Sequence, residues 1–70
     1  MSWSHKVFSS MIQEIGYDDA MQGMTVMWAK GQRGVYLGVP EAIALECSNA
    51  PSVGSYVNSE IKNNYEYRRL

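Results

Sequence analysis

The chain has 70 residues, of which 46% are hydrophobic and 19% charged, and its formal net charge at pH 7 is −1. This composition excludes a disordered segment, and the length limits the chain to one domain that buries only about 60% of the surface its unfolded form exposes. The charge balance argues against the broad basic patch of a strong nucleic-acid binder. So small a core leaves little room for a deep catalytic cavity, and we expect a homo-oligomer that buries further apolar surface.

Cysteine content and apolar runs set the expected location. The single cysteine, Cys47, cannot close an internal disulfide, whereas a small secreted domain normally needs several. No apolar run approaches the ~20 residues that span a bilayer, and the first residues lack the apolar segment of a signal peptide. We therefore expect a cytoplasmic protein, in a bacterium or a phage-infected cell, that makes no contact with a membrane.

Residues 1–8 are expected to form a short lead-in, and residues 9–70 a single domain. The domain begins with a predicted strand that ends at Ile15. Ile12 and Ile15 are three residues apart, so both face the core only if a bulge or bend lies between them. A turn is predicted at residues 16–19, since Gly and Asp tolerate the backbone angles that turns require.

The second predicted strand is the clearest, because Met24, Val26 and Trp28 alternate with a second set of residues, Thr25, Met27 and Ala29. Trp28 is expected to be a core anchor on this strand. A hairpin connection at residues 30–33 leads to a third strand at residues 34–39, which runs antiparallel to the second.

Two helices are predicted in the second half of the chain. Pro40 has a fixed φ and no N–H, which suits the first position of a short helix of about two turns. The second helix is predicted to start with Ser52 as its N-cap and to present Val53, Val57 and Ile61 on one face. The predicted fold class is therefore α+β, in the order β-β-β-α-α, with a three-stranded antiparallel sheet followed by two helices packed on one of its faces.

Enzyme motifs are absent from the sequence, and we expect no catalytic activity. The one histidine, His5, lies in the predicted lead-in, where nothing indicates the fixed geometry of a catalytic triad. Cys47 lies on the apolar side of the first helix, where a buried thiol is inert. One Cys and one His are too few for a Cys/His metal site, so we expect no metal and no cofactor.

The segment from Ser52 to Lys62 is the candidate binding site. A helix N-terminus presents free N–H groups and the positive end of the helix dipole, so it favours an anion. Gly54 lets another group approach the backbone, and Asn58 and Lys62 fall on one helix face, with Tyr56 in the same segment. The structural alternative is that Ser52 only caps the helix, Gly54 lets the two helices touch and Asn58 hydrogen-bonds a loop.

Three parts of the sequence together resemble a known family. They are Ile-Gly-Tyr-Asp at 15–18, Gly-Val-Tyr-Leu-Gly-Val-Pro at 34–40, and the Ser-x-Gly-x-aromatic-x-Asn string at 52–58. Their order resembles the KTSC domain, a small module found alone in bacteria and phages and fused to some lysyl-tRNA synthetases. The resemblance covers about residues 9–67, and it implies a fold more firmly than a function, with RNA binding as a suggestion for the family.

Tyr36 is the last candidate residue. The KTSC family typically has a Tyr-x-Tyr pair before its Val-Pro, and here Tyr36 matches the second Tyr while Gly34 replaces the first. Exposed aromatic residues on strands stack bases in other small RNA-binding sheets, whereas the alternative role for Tyr36 is core packing.

These features lead us to expect a non-catalytic module that binds a phosphate-bearing ligand, either RNA or a small or cyclic nucleotide. The alternative is a phage-encoded protein-interaction module that inhibits a host defence protein, including as a homo-oligomer that sequesters a nucleotide signal. The expected ligand-binding residues are Tyr36, Ser52, Gly54, Tyr56, Asn58 and Lys62.

Overall fold

A computed structural model describes residues 2–70, which form one antiparallel sheet and a helical segment. The five strands lie side by side in chain order, and each is hydrogen-bonded to the next. The helical segment connects β4 to β5. The elements are β1 (Trp3–Lys6), β2 (Ile12–Asp18), β3 (Gly23–Trp28), β4 (Arg33–Leu37), α1 (Glu41–Ser48), α2 (Val53–Tyr56), a π-helix (Val57–Ile61) that continues α2, and β5 (Glu66–Arg69).

The α+β class with two helical pieces after the central strands is confirmed, but the prediction of a three-stranded sheet is wrong. The additional strands, β1 and β5, are the two edges of the sheet. Residues 3–6 of the predicted lead-in form β1 and pair with β2, with Trp3 opposite Tyr17. β5 pairs with β4 after the helices, with Tyr67 opposite Tyr36.

The predicted irregularity in β2 is confirmed. The register of β2 against β3 shifts between Ile12 and Glu14, and this bulge lets Ile12 and Ile15 both be buried. The predicted turn at residues 16–19 is wrong in part, because the strand continues to Asp18. Asp18 instead anchors the following turn, where its Oδ1 accepts hydrogen bonds from the backbone N–H groups of Ala20 and Met21.

The core lies between the helical segment and one face of the sheet. Val53, Val57 and Ile61, which the spacing predicted to share a face, are all buried in it. They pack in one cluster with residues of the central strands, including Met24 and Val26. Burial of these side chains is the main favourable contribution to a fold this small.

Trp28 differs from its prediction as a core anchor. It packs against the core but is only partly buried, and its indole Nε1 donates a hydrogen bond of 2.8 Å to the Tyr67 hydroxyl. The reason is its position at the end of β3, where the next residues turn away in the hairpin.

Capping residues define where the helical pieces begin. Pro40 precedes α1 as its N-cap, with extended backbone angles, and so lies one residue earlier than predicted. Ser52 is the N-cap of α2, and its Oγ accepts a hydrogen bond from the backbone N–H of Ser55, which confirms that prediction. The π-helix was not predicted; the N–H of Lys62 reaches back five residues to the carbonyl of Val57, at 2.8 Å. Within residues 2–70, no helix is long and apolar enough to cross a membrane.

Candidate functional site

A groove of about 500 Å³ lies between the helical segment and the β3–β4 end of the sheet. This volume is within the range of pockets that hold small ligands, about 300–1,000 Å³. The π-helix and α2 contribute one wall and the β3–β4 hairpin another, while β4 and β5 each supply a tyrosine. Its lining includes Trp28, Lys30, Tyr36, Gly54, Asn58, Lys62 and Tyr67.

Three aromatic rings meet at this groove. The rings of Trp28 and Tyr67 lie edge to face with their centroids 6.3 Å apart, and those of Tyr36 and Tyr67 lie 4.8 Å apart. Tyr36 is only 5% exposed, so most of its surface packs in the core. Its burial, with the neighbouring Tyr67, raises the pKa of the Tyr36 hydroxyl above its ordinary value. Tyr67 is 38% exposed and presents ring surface to solvent.

Tyr67 occupies the space above Gly34. The ring and the hydroxyl of Tyr67 lie where a Cβ atom at position 34 would be placed, so a side chain at this position would collide with the ring. Residues 34 and 36 face the same side of β4, since side chains alternate along a strand. The ring that the KTSC resemblance leads one to expect at position 34 is therefore replaced, in space, by a ring from β5.

Four of the six predicted site residues line the groove. Asn58 and Lys62 lie on the same side of the helical segment, as their spacing predicted, and Gly54 lines the groove one turn earlier. Among residues 2–70, the Oγ of Ser9 is the one neighbouring atom that a Cβ added at Gly54 would approach, at 3.5 Å. The alternative that Gly54 lets the two helices touch is therefore wrong.

Ser52 and Tyr56 lie outside the groove. The Oγ of Ser52 caps α2, as predicted, and also donates a hydrogen bond of 3.0 Å to the Ser55 hydroxyl. Tyr56 is half-buried and packs against the core. Burial raises the pKa of its hydroxyl, and the charge of Glu46 and a hydrogen bond with it raise that pKa further. The groove runs along the side of the helical segment, whereas the anion site expected at the helix start stays a prediction.

The charges at the groove differ from those of the chain as a whole. Lys30 and Lys62 line it, together with the neutral amides of Gln32 and Asn58, and its described lining residues include no Asp or Glu. The whole chain has seven acidic and six basic residues, Lys and Arg together. A positive local potential is therefore compatible with the slight net negative charge.

His5 and Cys47 lie apart from the groove. The ring of His5 stacks on Trp3 with centroids 4.7 Å apart, and its Nδ1 lies 3.4 Å from the Ser48 hydroxyl. Cys47 is buried, which confirms its predicted burial, and burial raises the pKa of its thiol to about 11. Among residues 2–70, no group of three or more His, Cys, Asp or Glu side chains could hold a metal ion.

Among the groove residues that bear charge or aromatic rings, three were missed by the sequence reasoning. Tyr67 was missed because β5 was not predicted, and Trp28 because it was assigned to the core. Lys30 was placed in the hairpin without a role. The one available signal was the alternation of Tyr65 and Tyr67 before the two arginines, which is the period of a strand.

The family model of the KTSC domain matches residues 8–65 of the sequence. The chain belongs to the KTSC domain family. Its fold agrees with that of a KTSC domain protein from Yersinia pestis, known from a crystal structure, with a TM-score of 0.87 and 28% identity over 100% of this chain and 99% of that one.

Two curated relatives are much longer proteins. The chain is 34% identical over 61 residues to a lysine–tRNA ligase of Trichormus variabilis and 30% identical over 61 residues to one of Nostoc punctiforme. Each match covers 87% of this chain but only 11% of the relative. The KTSC domain thus accounts for a small part of these ligases.

Proposed function

We propose that this KTSC domain is a non-catalytic module that binds a phosphate-bearing ligand, RNA or a small nucleotide, in the groove. The observation that carries the proposal is the wall of the groove, where Lys30 and Lys62 accompany exposed ring surface and no carboxylate is present among the described lining residues. Cationic side chains in a cleft with low-dielectric walls concentrate the field and attract an anion more strongly than the same charges in open water.

The curated relatives support RNA among these ligands. They are named lysine–tRNA ligases, so domains of this family occur in proteins whose name includes an RNA. The ligase activity itself is not proposed for this chain, which covers 11% of their length.

The polar side chains of the helical wall test this proposal. Lys62→Ala and Asn58→Ala should each weaken binding by about tenfold or more, since a hydrogen bond to a charged group contributes about 1.5–3 kcal/mol. Both residues are exposed, so the fold should be retained. The matched control is Lys6→Ala, which removes the same charge from an exposed position on β1 outside the groove. Calorimetry measures affinity for single-stranded RNA, single-stranded DNA and a panel of mono-, di- and cyclic nucleotides.

Salt dependence distinguishes the two kinds of ligand. Contact with several phosphates of a strand weakens steeply as the salt concentration rises, because bound counterions are released. A nucleotide held in the groove should lose much less affinity. If no member of the panel binds, or if Lys6→Ala weakens binding as much as Lys62→Ala, the groove is not a phosphate site.

A second candidate function is a protein-interaction module that inhibits a host protein. The observation that favours it is the loop between β1 and β2, where Phe8 is 104% exposed and Met11 is 59% exposed. Exposed apolar side chains placed close together are typical of interaction surfaces. Phe8→Ser should abolish self-association or partner binding measured by sedimentation. Because Phe8 lies outside the groove, the same change should leave ligand affinity in the groove unchanged if the two functions are separate.

A further inference from the structure

We propose that Trp28 and Tyr67 form a ring clamp that takes one unpaired nucleobase, so that the ligand is recognised by its base as well as by its phosphate. The inference rests on the function proposed above, and it names the part of the ligand that the aromatic wall contacts. It also replaces Tyr36, the aromatic residue expected from the sequence, by two others.

Exposure decides which rings are available. Tyr36 is 5% exposed and is committed to the core, so it offers little surface to a ligand. Trp28 is half-buried and Tyr67 is 38% exposed, and both line the groove. A flat ring that lies against them gains the stacking energy that aromatic side chains give to any base.

The hydrogen bond between the two rings holds the clamp in shape. The indole Nε1 of Trp28 donates to the Tyr67 oxygen at 2.8 Å, which fixes the relative position of the rings before a ligand arrives. The Tyr67 oxygen is used there as an acceptor, so its own O–H is left to donate to an acceptor on the edge of a base. Preorganised contacts of this kind lower the entropic cost of binding.

The surroundings of the clamp suit a base that carries a phosphate. Lys30 and Lys62 line the same groove as the two rings, which places cations beside the stacking surface. A groove of about 500 Å³ has no room for a duplex, and paired bases are already stacked within their helix. The chemistry recognised is therefore an unpaired base with a phosphate, which a single strand and a free nucleotide both supply.

Gly34 makes the clamp possible. Any side chain at this position would displace the end of the Tyr67 ring, because the ring occupies that space. The displaced atoms belong to the tip of a flexible side chain, so the fold should persist when the ring moves. Gly34→Ala is therefore a way to disturb the clamp without removing either ring.

The test compares ligands with and without bases. Calorimetry measures the affinity of a single-stranded RNA octamer, an abasic octamer with the same number of phosphates, adenosine monophosphate and ribose 5-phosphate. The ligands that carry bases should bind about 5- to 150-fold more tightly than their base-free partners, the range that corresponds to stacking of one base. Preference in the octamer pair alone indicates a strand as the ligand, and preference in the monophosphate pair indicates that a free nucleotide suffices.

Variants assign the preference to the clamp. Tyr67→Leu and Gly34→Ala should abolish it and leave the affinity of the abasic octamer unchanged. Tyr67→Phe should keep only part of it, because the ring remains but the hydrogen bond with Trp28 is lost. Phe8→Leu is the matched control, since it removes a fully exposed ring outside the groove. Circular dichroism confirms that each variant is folded.

A second measurement follows Trp28 itself. The chain has two tryptophans, so in a Trp3→Phe background the fluorescence of Trp28 reports on the groove alone. A base that stacks on the indole should change this fluorescence, and an abasic ligand should not. Equal binding of base-bearing and abasic ligands would overturn the clamp while leaving the phosphate site intact, whereas absence of binding by all four ligands would overturn the proposed function with it.

Discussion

Ile61 tests how the helical segment is held on the sheet. It is 0% exposed at the last position of the π-helix, and its carbonyl accepts hydrogen bonds from the N–H groups of Asn64 and Tyr65 at 3.1 and 3.2 Å. The next residue, Lys62, lines the groove. Truncation of Ile61 to Ala removes packing contacts between the end of the π-helix and the core.

The expected cost follows from the burial. Ile61→Ala deletes three carbon atoms, which at about 0.8 kcal/mol each lose about 2.4 kcal/mol of transfer free energy. The cavity left behind adds to this loss, and buried Ile→Ala changes cost about 2–5 kcal/mol in total. At about 0.05–0.15 kcal/mol per residue, the whole domain has about 3.5–10 kcal/mol of unfolding free energy. Ile61→Ala should therefore remove about a fifth or more of the stability.

Thermal and urea denaturation followed by circular dichroism measure this change. A midpoint decrease of about 4–8 °C is expected for each kcal/mol in a domain of this size. Ile61→Val should cost only about 0.5–1.5 kcal/mol, because it deletes one carbon. Leu70→Ala is the exposed control, since Leu70 is 56% exposed. If Ile61→Ala melts within a few degrees of Leu70→Ala, the π-helix is not packed on the sheet and our account of the core is wrong.

Three further outcomes are expected. Burial raises the pKa of the Cys47 thiol to about 11, so a thiol reagent at pH 8 should label Cys47 only after unfolding in urea. For the same reason, the free energy of unfolding should fall as the pH rises from the ordinary pKa of a thiol towards 11. Rapid labelling of the folded protein would contradict this prediction. Gly16→Ala should cost more stability than Gly34→Ala, because a Cβ at Gly16 would lie 2.7 Å from the backbone oxygen of Trp3 and force β1 to shift; equal melting temperatures would refute this difference. Tyr56→Phe should leave calorimetric ligand affinity unchanged, since Tyr56 lies outside the groove; a tenfold loss would return Tyr56 to the site.

The central part of the fold could be predicted because its elements carry strong periodic patterns. β3 has an alternation of Met24 and Val26, and the second helical segment has Val53, Val57 and Ile61 four residues apart. In each case the pattern exists because one face is buried, and the burial is what the structure shows.

β1 and β5 could not be predicted in the same way. Each is four residues long and lies at an edge of the sheet, and no residue of either is fully buried. A short edge strand has too little apolar alternation to be predicted from its own residues, because it forms by pairing with a strand elsewhere in the chain. The π-helix was missed because its buried residues, Val57 and Ile61, have the four-residue spacing that also predicts an α-helix.

Prediction of the site followed the same division. Gly54, Asn58 and Lys62 belong to one helical segment, and local spacing was enough to place them on one side. The aromatic wall depends instead on the meeting of β3 and β5 across β4, a contact between residues 28 and 67 that no local pattern carries. Ser52 and Tyr56 were predicted to belong to the site because they lie near Gly54 and Asn58 along the chain. In the structure, Ser52 forms hydrogen bonds with Ser55, and Tyr56 forms one with Glu46.

Tyr67 fills the space in which a side chain at position 34 would lie. Residues of such a site are therefore better compared by their position in space than by sequence alignment. A tyrosine at 34 would face the same side of β4 as Tyr36 and would need the volume that Tyr67 now fills. A chain with aromatic residues at both 34 and 67 would have to move one of them, whereas a chain with Gly34 depends on β5 for its exposed ring. With Gly34 at the position where the KTSC resemblance leads one to expect a tyrosine, this groove still has exposed aromatic surface. That surface belongs to an edge strand, where the Tyr67 ring is held by the Trp28 hydrogen bond and depends on the pairing of β5 with β4.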